Sequence, residues 1–147
     1  ENPHPYPTEI RSIIDRCVAD VRSGSESMTV DVDAPAEVTA VTLPALETAI
    51  TEILDNAVEY GPEEPNVRIT VETTSDEVTI RVADDGPGIP EQERGILTDD
   101  HDIDALYHGS GIGLWFVYWV VHLSGGHLSF EEREPHGSVV VITLDRI

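Results

Sequence analysis

At 147 residues, 39% of them apolar, the chain is long enough for one domain with a real core. No apolar run reaches the ~18 residues of a membrane-spanning helix; the longest, Ile112 to Leu123, starts among glycines and contains His122, so direct membrane insertion is not expected. The net charge of −21, from 29 acidic residues against eight basic ones that are all arginine, argues against a nucleic-acid partner.

An acidic excess without a single lysine suits a halophilic protein, in which salt screens self-repulsion. The one cysteine, Cys17, cannot form an internal disulfide; this fits a reducing, cytoplasmic setting. No signal-peptide pattern opens the chain, and the first residue is not Met, as expected of a piece of a longer protein.

In chain order, residues 1–7 read as a proline-punctuated leader from an upstream region, with Pro7 and Thr8 suiting a helix start. Ile10, Ile13, Ile14, Cys17, Val18 and Val21 then mark the apolar face of a helix running to about Arg22, with Cys17 as a small core residue. Met28, Val30 and Val32 alternate with polar residues as a half-buried strand, and a second short strand fits Val38 to Thr42. Pro44 opens the clearest helix, carried by Leu46, Ile50, Ile53, Leu54, Ala57 and Val58 and ended by Gly61-Pro62. Val67-Ile69-Val71 and Val78-Ile80-Val82 predict a hairpin turning at Ser75-Asp76. From Asp85 to about Ser110 the sequence is polar and acidic, a loop of a length that is usually functional. The apolar helix follows and ends at Ser124-Gly125-Gly126; two strands, His127 to Glu132 and Ser138 to Leu144, close the chain. The fold class these elements satisfy is a single α/β (α+β) two-layer sandwich, with helices on one face of a mixed, mostly antiparallel sheet.

Three segments carry chemistry. Glu52 and Asn56, four apart, share a helix side at the border of the apolar stripe, where an amide oxygen suits Mg²⁺ and a carboxylate can orient a hydroxyl or water. Asp84 continues the inward alternation of Val78, Ile80 and Val82 and needs a donor there, which a base with an exocyclic amine would supply. Gly86 and Gly88 follow it and allow close backbone approach. Gly109-Ser-Gly-Ile-Gly-Leu114 opens the apolar helix, and amides at a helix N-terminus bind phosphate. It is neither a Walker loop, since no lysine follows, nor a Rossmann fingerprint.

Together the three segments resemble the N, G1 and G2 boxes of the GHKL (Bergerat-fold) ATP-binding family, above all the catalytic domain of sensor histidine kinases. The resemblance covers about residues 8–147. It implies that Asn56 binds Mg²⁺ and that Asp84 accepts from the adenine amino group. Gly86 and Gly88 would border the base, with Tyr60 and Ile89 packed near it. Gly109, Ser110, Gly111, Ile112, Gly113 and Leu114 would hold the phosphates, and residues from about 88 to 110 would form the ATP lid. The implied cofactors are ATP and Mg²⁺, and the implied acceptor is a His on a dimerisation domain outside this chain. The implied partners are that domain and a response regulator, in a full-length homodimer that is cytoplasmic or attached to a membrane sensor.

The sequence departs from the family pattern at three places. Glu59 stands where Lys or Arg is common, leaving Arg94 as the lid's one arginine. The usual lid Phe is absent, with Leu97 in that stretch. Glu52 replaces a frequent Asn and resembles the general base of hydrolytic members and serine kinases. None of the six histidines has the phosphoacceptor pattern; His101 alone precedes an acidic residue, without the downstream basic-x-Pro. The leading reading is therefore an ATP-dependent protein histidine kinase catalytic domain with Glu52 and Arg94 as catalytic groups. The alternatives are a GHKL ATP hydrolase or serine kinase using Glu52 as base, and a degenerate nucleotide-sensing or docking module.

Overall fold

Prolines have no N–H to donate and are tolerated in edge strands, and the segment read as leader and helix start pairs as one. In the computed structural model, which describes residues 4–24, 28–60, 64–85, 112–132 and 137–146, β1 (Tyr6–Glu9) lies antiparallel to β3 (Thr39–Thr42). These two strands form a small sheet of their own, a correction to the single sheet expected from the sequence.

Helix α1 (Ile10–Gly24) begins at the residue after β1, with no linker. Glu9 makes this corner possible. Its carboxylate accepts from the amides of Arg11 (2.9 Å) and Ser12 (3.0 Å), from the Ser12 hydroxyl (2.8 Å) and from the Val38 amide (3.0 Å). Two orphan amides of the first turn of α1 and the approach to β3 thus end on one side chain.

Burial opposes the charge on Glu9, but these donors outweigh it and hold its carboxyl below the ordinary glutamate value. The folded state therefore favours the ionised form. The resulting stability is complete above the ordinary range of about 4.3 and is lost as pH falls through the lowered native value. Glu9→Ala should cost about 1–2 kcal/mol at pH 7. In urea melts the gap between wild type and Glu9→Gln should narrow between pH 7 and pH 3. A gap that stays constant over that range would contradict the role given to the ionised carboxylate.

The main sheet has the order β2-β4-β5-β7-β6, built from β2 (Thr29–Asp33), β4 (Asn66–Thr73), β5 (Glu77–Asp84), β7 (Ser138–Asp145) and β6 (His127–Glu132). Only β2 and β4 run parallel, and α2 (Leu46–Tyr60) lies in the crossover between them. The other pairings are antiparallel. Val67, Ile69, Val78, Ile80, Val82 and Ile142 are fully buried on the inner face. Against them pack α1, α2 and α3 (Ile112–Leu123), with α2 between the other two. The α+β sandwich expected from the sequence is the fold observed.

Two local devices finish the core. Helix α3 ends in a Schellman motif: the Gly125 amide donates to His122 O (3.0 Å), the Gly126 amide to Val121 O (2.9 Å), and Gly125 takes φ 83°. Buried Ser124 donates to Val120 O (2.7 Å) and accepts from the Leu43 amide (3.0 Å), with Thr42 Oγ1 at 3.2 Å. The Cys17 thiol is buried 3.2 Å from Glu47 O, and burial pushes its pKa up, as suits a packing residue.

Candidate functional site

Strand register decides which ends of the elements meet. Leu43, just before α2, is bonded to Ser124, just after α3, so α2 starts where α3 stops. That is also the end of the sheet where His127 pairs with Thr143 and Thr143 with Thr79. From there α2 runs about 22 Å to its last residue, Tyr60. The next strand opens at Asn66, at the opposite end of the sheet. Asp84 closes β5 at this same end, opposite Val67 on one side and Ser138 on the other. Helix α3, packed antiparallel along α2, has its first turn there too.

Three segments far apart in sequence therefore share one edge: the C-terminal half of α2, the C-terminal end of β5 and the N-terminus of α3. Glu52 stands at the middle of α2, half-buried beside the buried Ile53 and Leu54, and Asn56 lies one turn nearer the shared edge. Tyr60 ends that helix, and Ile112, Gly113 and Leu114 form the first turn of α3. Asp84 is half-buried and lies across from buried Val67, on the inner face with Val82. Gly86, Gly88, Ile89, Arg94, Gly109, Ser110 and Gly111 lie outside the described residues, as does the lid segment.

The backbone around Asp84 is held from both sides. Asp85 Oδ1 accepts from the Asn66 amide at 3.1 Å, tying the end of β5 to the start of β4. On the other side Gly137 (φ 123°) lies against the Asp84 carbonyl; a Cβ there would collide with that oxygen and sit 3.2 Å from Asp85 Cα. Sequence reading attached no such role to either residue. Their partners are distant in the chain, so no local pattern points to them.

Chemically, the edge offers a carboxylate on the inner face, an amide-bearing residue near the end of α2, and the positive end of a helix dipole, whose first amides have no partner within the helix. A donor-bearing ring and a polyanion are the complementary ligand groups. His122 is at the other end of α3, exposed and stacked on Tyr118 with ring centroids 5.6 Å apart.

The architecture is that of a two-layer α+β domain, and comparison with known proteins gives its family. Residues 42–147 match the model of the histidine kinase-, DNA gyrase B- and HSP90-like ATPases. The chain belongs to that family. It is 31% identical over 138 residues to the signal transduction histidine-protein kinase/phosphatase MprB of Mycolicibacterium smegmatis, covering 91% of this chain and 28% of that protein. The ATP-binding domain of PrrB from Mycobacterium tuberculosis superposes with a TM-score of 0.79 at 26% identity, over 97% of this chain and 98% of that one. ThkA, solved in complex with the response regulator TrrA, superposes with a TM-score of 0.73 over 97% of this chain and 42% of that one; at 16% identity it speaks for the fold alone. The chain spans about a quarter of the length of the curated relatives it matches.

Proposed function

We propose that this chain binds Mg·ATP at the shared edge and donates the γ-phosphoryl group to a histidine on a separate dimerisation domain of a two-component sensor kinase. The observation that carries the reading is the convergence of Asp84, the C-terminal end of α2 that bears Asn56, and the start of α3. Family membership and the sensor kinases among its relatives support it.

In this reading Asp84 accepts from the adenine amino group, Gly86 and Gly88 border the ring, and Tyr60 and Ile89 pack near it. Amides of the segment from Gly109 through Ser110, Gly111, Ile112 and Gly113 to Leu114 receive the phosphates. Asn56 is the residue whose side-chain amide oxygen would hold Mg²⁺. The ion, when bound, neutralises phosphate charge. Transfer breaks the bond from the γ-phosphorus to the bridging oxygen and forms one to an imidazole nitrogen, releasing ADP. Positioning and charge neutralisation do most of the work in such a step. Glu52 orients the acceptor, and Arg94 offsets developing charge in a chain that has no lysine. A response regulator would receive the phosphoryl group next, and the whole protein would act as a cytoplasmic or membrane-attached homodimer.

The test is a thermal melt in molar KCl with and without Mg·ATP. Ligand at ~100 times its dissociation constant should add about 2.7 kcal/mol, a rise of roughly 5–10 °C for a domain of this size. Asp84→Asn should remove the rise. No rise in wild type would leave a docking module that binds no nucleotide, and the kinase reading would be withdrawn.

A further inference from the structure

We propose that Asp85 is a positioning residue that sets adenine selectivity by fixing the backbone from which Asp84 projects, with Gly137 as the opposing wall. The inference rests on the adenine role proposed for Asp84 and goes beyond it by naming what makes that carboxylate selective.

Asp84 is the last residue of β5, and glycine follows at position 86. A strand end next to glycine frays easily, because few contacts hold it and glycine loses more entropy than other residues on being fixed. Here the fraying is opposed twice. The Asp85 carboxylate takes the Asn66 amide at 3.1 Å, adding a side-chain rung beyond the Asp84–Val67 pair. Gly137 closes on the Asp84 carbonyl from β7, where Ser138 pairs with Asp84. Asp84 thus has little freedom to rotate about the strand axis or to slide.

That rigidity matters for choosing a base. Adenine presents an amine at its six-position and guanine a carbonyl. A fixed carboxylate bonds the first and repels the second, because an unpaired acceptor facing a carboxylate costs more than a missing contact. A loosely held carboxylate turns away from the carbonyl at small cost, and selectivity falls. Asp85 therefore governs the ratio of affinities and not only their magnitude.

The experiment measures ADP and GDP binding by titration calorimetry with Mg²⁺ in molar KCl, on wild type, Asp85→Ala, Asp85→Asn and Asp84→Asn. Circular dichroism melts confirm that each variant is folded at the titration temperature. Asp85→Ala should weaken ADP about tenfold while leaving GDP within about twofold, so that the selectivity ratio falls about tenfold. Asp85→Asn keeps a side-chain carbonyl for the Asn66 amide and should hold the wild-type ratio. A wild-type ratio in Asp85→Ala, or an equal fall in Asp85→Asn, overturns the positioning role while leaving Asp84 as the adenine partner. If wild type shows no preference for ADP and Asp84→Asn changes nothing, the nucleotide reading fails and this inference with it.

Discussion

Gly137→Ala is expected to destabilise the domain by about 3 kcal/mol or more and to lower its melting temperature by roughly 6–12 °C. Two costs add. The φ of 123° lies where side-chain-bearing residues are rarely found. The new Cβ would also meet backbone, running into the Asp84 carbonyl oxygen with the carbonyl carbon at 3.1 Å. Backbone at the end of the central strand, paired with Val67 on one side and Ser138 on the other, cannot give way as the tip of a flexible side chain can. Gly125→Ala is the control. Gly125 also has positive φ, at 83°, but its Cβ would find nothing nearer than Asp145 Oδ2 at 4.0 Å. That change should cost about 1 kcal/mol, the strain alone. Thermal and urea melts of the two variants separate the terms; equal losses would mean that the approach to Asp84 is not a constraint.

The contrast also shows what a sequence displays and what it hides. Helices α1 and α2 were legible because their apolar residues recur at helical spacing. The hairpin of β4 and β5 was legible because Val67 to Val71 and Val78 to Val82 alternate. Cys17 was placed correctly in the core by the pattern around it. Strand β1 was not legible, since four residues with a proline carry no period, and its partner β3 begins 30 residues after Glu9. Nor was the Glu9 corner, because glutamate is not among the usual capping residues and one of its donors is Val38. At the site, residue types pointed to Asp84, to Glu52 with Asn56, and to the start of α3. Their meeting at one edge depended on register and on the Leu43–Ser124 contact, which no local pattern encodes. Asp85 and Gly137 act through residues 19 and 53 positions away, so their part could be read only from the folded chain.

The melting temperature should rise by about 10 °C or more between 0.1 M and 2 M KCl, through screening of the −21 net charge. Pairing cannot absorb so large an imbalance. Among the described residues Arg11, Arg16, Arg68 and Arg81 make ion pairs, every partner side chain being at least 29% exposed. Pairs of that kind contribute at most about 1 kcal/mol each. Most of the 29 carboxylates are therefore left to repel one another. In a domain of roughly 15 Å radius of gyration, a Debye length of about 10 Å at 0.1 M lets a carboxylate feel many others. At 1 M the length falls to about 3 Å and the repulsion becomes local. Unfolding spreads the same charges over a larger volume, so dilute salt favours the unfolded chain. Acid supplies the control: near pH 4.5 many carboxylates are protonated, and the salt response should shrink. A melting temperature that is flat in KCl at pH 7 would show that the acidic surface is compensated within the fold, and the reading of this chain as adapted to high salt would fail.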